Sequence, residues 1–389
     1  MHATNNGPFR SHRELDFFDD FKEAGIPFIR NHDASFDSWY GGEHSIDVEN
    51  IFPDMDADEN DPANYDFALT DLATQWSLDA GSRIVYRLGT KIEHEIRKYH
   101  TKVPKDFQKY ARVCEHIIRH MCYGWADGNH MDIPYWEIWN EADSCLNGVP
   151  NSTWQGTHQE FLQFFEIMAK HLKSCFPELK IGGPAYCYCV NSKAANEFIQ
   201  YASEHQVPID FFSWHGYETD PQKYPDAARY ARNLLDRFGY QKTELHLNEW
   251  NYIIGWKGEE IRKSYKTIRT AKGAAFCAAS MLSAQKSPMD MFMYYNLGPS
   301  AYNGLFAYDT YERCRPYYTF WQFNKLYRAG NEVYSESDDS IFTGAARDDQ
   351  GKGFAQIAYY EDASEEDELL ELDIRGLHTE TEIKMVLVS

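Results

Sequence analysis

Short apolar runs alternate along most of the chain with longer stretches in which apolar residues recur at helical spacing. This alternation is typical of repeated strand–helix units around a parallel sheet. Eight of the short runs have the β-branched and aromatic content of strands, and they span residues 2–5, 27–32, 83–88, 135–140, 180–183, 211–215, 244–248 and 291–295. Eight successive units predict a closed (β/α)8 barrel, because a doubly wound open sheet seldom needs so many strands.

The helical stretches carry start signals and a recognisable buried face. Thr157 and Glu160 have the spacing of a capping box, and an apolar stripe follows from Phe161 to Leu172. A second helix is predicted over 106–121. The sequence also predicts one long Ala-rich helix over 261–286, with Gly273 tolerated in its interior.

The pattern changes after Gly330, where helical spacing stops and strand-like alternation takes over. Four runs alternate in this way, at 340–347, 353–360, 369–377 and 381–389. The chain is therefore predicted to consist of a catalytic barrel over 1–330 and a small antiparallel, β-sandwich-like accessory domain over 331–389, which is either complete or truncated.

Charge and composition exclude several function classes. The formal net charge is −22 and the chain has no compact basic run, so binding to a nucleic acid is disfavoured. No apolar run has the length of a membrane span. The eight cysteines form no CxxC pair and are expected to be free thiols. A cytoplasmic location is favoured, or a secreted or periplasmic one if a leader has been removed, and self-association is left open.

Two predicted strands end in an Asn-Glu pair. The fourth strand ends at Asn140-Glu141 and the seventh at Asn248-Glu249. In a barrel of this kind the active site forms at the carboxyl ends of the strands, where strands four and seven face each other. Hydrolysis of a glycoside with retention needs two carboxyl groups about 5 to 5.5 Å apart. The pattern indicates a retaining glycosidase in which Glu141 and Glu249 are the two catalytic carboxyl groups.

The two carboxyl groups must differ in their surroundings, since the acid has to hold a proton while the nucleophile stays ionised. Trp136 and Trp139, together with the other carboxylate, are expected to raise the pKa of one glutamate. Arg30, at the end of the second strand, is expected to lower the pKa of the other.

A metal site was weighed against the glycosidase interpretation and is not favoured. His116 and His120 are four residues apart on a predicted helix, but the motif lacks the glutamate of a zinc protease, and His94 and His100 flank only a polar stretch. The acidic loop 54–61 lacks the glycine and the final glutamate of a calcium loop. We expect neither a metal nor a cofactor.

Several motifs together resemble glycoside hydrolase family 39, a family of retaining (β/α)8 enzymes. They cover most of residues 1–330 and read IRNHD at 29–33, YDFALTD at 65–71, WEIWNE ending at Glu141, IGGPA at 181–185, SWHGY at 213–217 and HLNEWN at 246–251. The resemblance implies that Glu141 is the acid/base and Glu249 the nucleophile, and that Asn140 hydrogen-bonds the sugar 2-hydroxyl. It also implies a subsite for the terminal sugar, with substrate contacts from His32, His215, Tyr217, Trp250 and Tyr295.

The resemblance implies a reaction class more firmly than a sugar. Arg87 stands where xylosidases of the family carry a glutamate, which indicates a remodelled sugar pocket. The central expectation is an exo-acting enzyme that cleaves terminal bonds of polysaccharide-derived oligosaccharides by double displacement, xylosidase-like or arabinofuranoside-releasing. Two alternatives remain, an endo-acting enzyme of the same clan and a carbohydrate-binding barrel that does not cleave. The insertion over 34–64 favours exo action, because it can wall off a pocket.

Overall fold

Eight parallel strands close into a barrel in chain order, and β8 pairs with β1. The computed structural model describes residues 1–10, 16–32, 45–90, 101–144, 153–298, 304–307, 309–364, 369–376 and 382–388. The strands are β1 (His2–Asn5), β2 (Phe28–Asn31), β3 (Arg83–Leu88), β4 (Tyr135–Ile138), β5 (Lys180–Tyr186), β6 (Phe211–Glu218), β7 (Glu244–Tyr252) and β8 (Met291–Tyr294). The predicted (β/α)8 barrel is confirmed.

Ten α-helices lie within the described residues, most of them against the outside of the barrel. They are α1 (Phe18–Ala24), α2 (Val48–Ile51), α3 (Ala68–Asp79), α4 (Phe107–Tyr123), α5 (His158–Cys175), α6 (Lys193–Glu204), α7 (Lys223–Arg237), α8 (Gly258–Ile268), α9 (Ala271–Ala284) and α10 (Arg315–Ala329). The capping box at α5 is present, since the Glu160 N–H donates to Thr157 and the Thr157 N–H donates to Glu160. Among the described residues, no helix is long and apolar enough to cross a bilayer.

The single long helix predicted over 261–286 is wrong, because two helices, α8 and α9, occupy this stretch. The Thr270 hydroxyl accepts a hydrogen bond from the Gly273 N–H at 3.3 Å and so caps the start of α9. A Cβ atom on Gly273 would lie 2.3 Å from the Ile268 carbonyl oxygen at the end of α8. The glycine therefore allows the close approach between the two helices.

Two layers of side chains fill the barrel. The layer nearer the amino ends of the strands is apolar and is formed by Ala3, Phe28, Val85, Tyr135, Phe211, Met291 and Met293. Residues two positions further along a strand point to the same side. In five strands the residue two positions beyond the apolar layer is polar, and these residues are Asn5, Arg30, Arg87, Glu137 and Ser213. The barrel is therefore plugged by apolar side chains at one end and carries a buried polar layer towards its carboxyl end.

A three-stranded antiparallel sheet follows the barrel, with β9 (Asn331–Val333), β10 (Ile341–Arg347) and β11 (Gly353–Tyr359) in the order β11-β10-β9. It packs against α9 and α10. The Gln356 side chain donates to the Thr319 carbonyl at 3.2 Å, and the Tyr360 hydroxyl donates to the Thr219 carbonyl at 2.7 Å. We propose a division of the chain near residue 330, because Gly330 ends α10 in a left-handed conformation with φ 80°.

Two of the four strands predicted after residue 330 are not observed as strands. The described parts of these runs, 369–376 and 382–388, carry no strand assignment, and apolar side chains such as Leu369 and Leu387 are exposed there. Alternating residues form a strand only where a neighbouring strand takes their backbone hydrogen bonds. Within the described residues neither run has such a neighbour. The alternating pattern therefore predicted more strands in the accessory sheet than are observed.

Candidate active site

The chain makes an unusual turn at the end of β4 to place Glu141. Trp139 and Glu141 both adopt left-handed backbone conformations, with φ 69° and 46°, although neither is glycine. The Glu141 N–H donates to the Ala185 carbonyl at 2.9 Å, which ties the turn to the end of β5. Strained backbone of this kind persists only where surrounding structure holds it, and it is common at functional sites.

Glu249 lies inside the long strand β7, opposite His215 of β6. Arg30 donates to its Oε1 at 2.8 Å, and the Tyr217 hydroxyl donates to its Oε2 at 2.7 Å. Burial raises the pKa of Glu249 above its ordinary value and the nearby Glu141 carboxyl adds to this, whereas His215, Arg30 and Tyr217 act in the opposite direction. Arg30 and Tyr217 thus favour the ionised form that a nucleophile requires.

His215 lies between the two glutamates. Its Nδ1 is 2.7 Å from Glu141 Oε1 and its Nε2 is 3.4 Å from Glu249 Oε1. Oxygens of the two carboxyl groups lie within 4.8 Å of each other, and both side chains are largely buried. The structure therefore brings together Glu141, Glu249 and His215, three residues that are far apart in the sequence.

Arg30 is the centre of the buried polar layer. Its Nε donates to Glu137 at 2.6 Å, Nη1 donates to Asn5 as well as to Glu249, and Nη2 donates to Asn140 at 2.9 Å. Burial alone would lower the pKa of the guanidinium, but the carboxylates of Glu137 and Glu249 raise it above its ordinary value. Arg30 therefore stays charged and hydrogen-bonds four groups around it, while its supporting role in catalysis stays a prediction.

Glu137, on the inner face of β4, was not predicted as a site residue. Its Oε1 accepts hydrogen bonds from Ser213 at 2.7 Å and from Asn248 at 2.5 Å, while its Oε2 binds Arg30. A charged residue in the middle of an otherwise apolar strand was a readable signal, because Glu137 shares the inward face with Tyr135. Its partners, however, lie up to 111 residues away in the chain.

The Asn140 amide has one possible orientation. The Arg30 guanidinium can only donate, so the Asn140 Oδ1 must face it. The Asn140 Nδ2 then points away from Arg30, and among the described residues this buried nitrogen has no hydrogen-bond partner. A buried donor without a partner is costly unless a ligand supplies an acceptor.

His32 approaches Glu249 from the β2 side, with its Nε2 3.5 Å from Glu249 Oε1. Arg87 holds the ring in place, since it donates to the His32 carbonyl at 2.6 Å and lies 3.3 Å from its Nδ1. Because Arg87 can only donate, the His32 Nδ1 is the acceptor and the Nε2 carries the hydrogen. Arg87 also forms a buried ion pair with Asp47, which the sequence analysis did not identify.

Tyr295 lies in the site, whereas Trp250 lies outside it. The Tyr295 ring lies 6.3 Å from His32 and 6.5 Å from Tyr217, measured between ring centroids, at the mouth of the barrel. Trp250 is fully buried on the outer side of β7 and stacks on Phe292 at 4.2 Å. The expectation that Trp250 contacts substrate is therefore not supported, because neighbouring residues of a strand point to opposite faces and Glu249 points inward.

Trp136 and Trp139 also lie outside the barrel interior, against expectation. The Trp139 indole donates to the Thr153 carbonyl and packs on Trp154 of the outer core, while Trp136 donates to the Ile133 carbonyl. Their rings face the helices. They do not form the environment that was expected to raise the pKa of a catalytic glutamate.

Asp143 lies beside Glu141 and was not expected there. Burial raises its pKa to about 7, and the Glu141 carboxyl adds to this. The Cys187 N–H donates to Asp143 at 3.0 Å, and the Cys187 thiol lies within hydrogen-bonding reach of both carboxyls. Burial raises the pKa of this thiol well above its ordinary value, so it stays protonated and is a donor.

Among the described residues, two clusters bring together ligand atoms that are close enough to share a cation. The first is Glu141, His215 and Glu249, and the second is Glu115, His171 and Cys175 on α4 and α5. In the first, the Arg30 guanidinium already binds Glu249 Oε1, the oxygen that faces His215. In the second, Glu115 binds Arg119 through Oε1 and His171 through Oε2, each at 2.7 Å.

The histidines and acids weighed as metal ligands have other partners. His120 binds Asp71 and the Trp125 carbonyl, while His116 packs on Trp125. In the loop 54–61, Asp54, Asp58 and Asp61 accept hydrogen bonds from backbone N–H groups two residues later. These carboxylates thus stabilise local turns. The pair His94 and His100 lies outside the described residues.

Comparisons with known proteins agree with this geometry. The model of the family Glycosyl hydrolases family 39 matches residues 85–244, a range that includes Glu141. A beta-xylosidase from Geobacillus stearothermophilus is 25% identical over 218 residues, which are 49% of this chain and 39% of that protein. A beta-xylosidase from Caldicellulosiruptor saccharolyticus is 28% identical over 117 residues, 30% of this chain and 22% of that protein.

A solved structure is similar over most of the chain. The glucosidase from Croceicoccus marinus superposes with a TM-score of 0.73 at 25% identity, covering 90% of this chain and 73% of that one. The matches to the two xylosidases span well under half of those proteins' length. The family-model match over residues 85–244 and the two xylosidase relatives show that the barrel of this chain is similar to glycoside hydrolase family 39.

Proposed function

We propose that the protein is a retaining, exo-acting glycosidase in which Glu249 is the nucleophile and Glu141 the acid/base. One observation carries the proposal, namely that oxygens of the two carboxyl groups lie within 4.8 Å of each other at the carboxyl end of the barrel. This spacing suits retention, which uses carboxyl groups about 5 to 5.5 Å apart, and is too short for inversion, which needs about 6.5 to 9.5 Å.

The division of roles follows from the hydrogen bonds. Glu249 receives donors from both Arg30 and Tyr217, and these stabilise its ionised form. Glu141 bonds instead to His215, which can exchange a proton, and lies next to the Cys187 thiol. Of the two carboxyl groups, Glu141 is therefore the one that we propose to be protonated.

In the first step, Glu249 attacks the anomeric carbon while Glu141 gives its proton to the glycosidic oxygen. The bond between the anomeric carbon and that oxygen breaks. The sugar is then held as an ester on Glu249. In the second step, the Glu141 carboxylate takes a proton from water, the water oxygen bonds to the anomeric carbon, and Glu249 leaves as a carboxylate. The sugar is released with its anomeric configuration retained.

Asn140 assists both steps in this proposal. Its Nδ2 is buried, faces away from Arg30 and has no partner among the described residues, which suits a hydrogen bond to the sugar 2-hydroxyl. Such a bond strengthens in an oxocarbenium-like transition state and contributes several kcal/mol. His32 and Tyr295 line the same pocket and are proposed to bind the terminal sugar.

The substrate is proposed to be a β-linked oligosaccharide that ends in xylose or glucose. Two relatives carry the name beta-xylosidase, and the similar solved structure is a glucosidase. The Arg87–Asp47 pair behind His32 gives the pocket a charged, rigid wall on the β3 side. Arabinofuranoside remains the alternative sugar within the same chemistry.

A panel of 2-deoxy-2-fluoro glycosides with dinitrophenyl leaving groups tests the proposal. The panel contains the xyloside, glucoside, galactoside and arabinofuranoside, and intact mass followed by peptide mapping detects a trapped ester. We expect one sugar to label Glu249, and the Glu249→Gln variant to stay unlabelled. If no member labels the protein and the matching aryl glycosides are not turned over, the retaining mechanism is refuted and a barrel that binds without cleaving is favoured.

A further inference from the structure

Two aromatic side chains are exposed at the mouth of the barrel, although most aromatic rings of the molecule are buried. Tyr188, two residues after β5, is 54% exposed, and Trp256, four residues after β7, is 44% exposed. Leaving this much ring surface in water forfeits the stabilisation that burial would bring. Exposed aromatic surface beside a polar cleft is typical of a ligand-binding face.

The two residues form one surface, here called the Tyr188–Trp256 pair. The Trp256 indole N–H lies within hydrogen-bonding reach of the Tyr188 hydroxyl. Trp256 also packs edge-on against Tyr217, with 5.0 Å between ring centroids. Since Tyr217 in turn binds Glu249, the pair begins immediately beside the nucleophile.

Within the pair, Tyr188 is the residue that lies near Glu141, the proposed acid/base. Tyr188 directly follows Cys187, whose thiol lies within reach of Glu141, and the Glu141 carboxyl is close enough to contribute to the raised pKa of the Tyr188 phenol, which burial raises most. The acid/base residue protonates the oxygen of the departing group. A surface next to Glu141 and outside the terminal-sugar pocket therefore lies where the departing group must sit.

We propose that the Tyr188–Trp256 pair binds the departing group, and that this group is a sugar ring of an oligosaccharide. This inference rests on the proposed retaining glycosidase function. The C–H face of a pyranose suits stacking on an aromatic ring, while its hydroxyls need hydrogen-bond acceptors.

Such acceptors flank the pair. The half-buried Glu218 ends β6 near Tyr188, and Asp143 lies behind Cys187. A bare aromatic or alkyl departing group would cover these carboxyls without bonding to them, which is costly. The surroundings of the pair thus favour a sugar over a purely apolar group.

The test compares substrates that share a terminal sugar and differ in the departing group. Xylobiose and cellobiose place a sugar on the pair, whereas β-xylosyl fluoride and β-glucosyl fluoride place nothing there. For Tyr188→Ala and Trp256→Ala, we expect kcat/KM on the disaccharide to fall about tenfold, which corresponds to about 1.4 kcal/mol. For Tyr188→Ala we expect kcat/KM on the fluoride to stay within twofold of the wild type, and we expect Trp256→Phe to recover most of the loss that Trp256→Ala shows on the disaccharide.

Tyr188→Ala keeps the test decisive, because Trp256 also touches Tyr217 and its removal can disturb the nucleophile. Tyr334→Ala is the matched control, since Tyr334 is 83% exposed on the distant accessory sheet. Equal losses on the disaccharide and the fluoride for Tyr188→Ala, or no loss on either, would overturn this inference alone. A larger loss on a nitrophenyl glycoside than on the disaccharide would overturn the sugar assignment. A wild-type protein that hydrolyses none of these glycosides would overturn the proposed function and this inference with it.

Discussion

Replacing Tyr217 by phenylalanine removes one hydrogen-bond donor to Glu249, the proposed nucleophile. This hydroxyl donates to Glu249 Oε2 at 2.7 Å, and the other contacts of the ring can persist. The donor favours the ionised carboxylate and so lowers the pKa of Glu249. Without it the pKa rises further, because burial and Glu141 already act in that direction.

The size of the effect follows from the hydrogen bond that is lost. A hydrogen bond to a charged group contributes about 1.5 to 3 kcal/mol, which corresponds to about ten- to a hundredfold in an equilibrium or rate constant. Because the missing donor acts on ionisation, the loss in kcat/KM is expected mainly at acidic pH. At higher pH Glu249 is ionised in both proteins and the difference shrinks.

The assay measures kcat/KM for an activated aryl glycoside between about pH 4 and 9 in the wild type and in Tyr217→Phe. The expected result is that the acidic limb of the profile moves to higher pH in the variant. Tyr224→Phe is the control, because it removes a buried tyrosine hydroxyl that donates to the Asn251 carbonyl at 3.3 Å and does not touch the carboxyl pair. Its profile should coincide with that of the wild type.

A loss of the same size at every pH would refute the reasoning. Such a result would mean that Tyr217 contacts the substrate or shapes the pocket without controlling the ionisation of Glu249. An acidic limb that moves equally in Tyr224→Phe would point to a general loosening of the barrel.

Three further predictions concern stability and the acid/base residue. Arg87→Met breaks a buried ion pair and should lower the free energy of unfolding in urea by about 3 to 5 kcal/mol, whereas Arg83→Met, four residues earlier and exposed, should cost less than about 1 kcal/mol; similar costs would contradict the buried pairing. Burial raises the pKa of Asp143 to about 7, so the folded state takes up its proton first and the stability from this group is lost as the pH rises from about 4 to 7. Asp143→Asn should remove this decline in the melting temperature, and an unchanged pH dependence would show that Asp143 does not titrate in this range. Glu141→Ala should slow glycosides with poor leaving groups far more than activated ones, in initial-rate assays across a leaving-group series, and equal losses would assign the acid/base role elsewhere.

The barrel was predictable because apolar runs mark its strands, and the starts of the strands were placed within one residue. The ends of β5, β6 and β7 were placed too early, since these strands continue to Tyr186, Glu218 and Tyr252. In β6 and β7 the backbone pairing continues through polar residues of the site such as Tyr217 and Glu249, so the apolar signal stops there before the strand does. In β5 the added residues are Pro184, Ala185 and Tyr186, which do not fit this explanation.

The two glutamates were predictable from their positions at strand ends, while their supporting groups were not. Glu137, Asn248 and Ser213 are joined through the barrel interior, and no local pattern records which of them meet. Asp47 pairs with Arg87 from within an irregular connection that has no periodicity to interpret. Trp250 was misplaced for a different reason, since applying strict alternation from Glu249 would have assigned it to the outer face.

The two sides of the site differ in how firmly the backbone holds them. Glu249, His215 and Tyr217 lie within the paired register of β6 and β7, the longest strands of the barrel, so a change in that ladder displaces all three together. Glu141 follows the four-residue strand β4, and Tyr188 and Trp256 lie beyond the ends of their strands. Of these, Tyr188 is exposed and lies outside the β6–β7 ladder, so a substitution there leaves the pairing that holds Glu249 intact. The fold thus combines a paired side on which one change moves several groups together with a loop side on which exposed positions can vary one at a time.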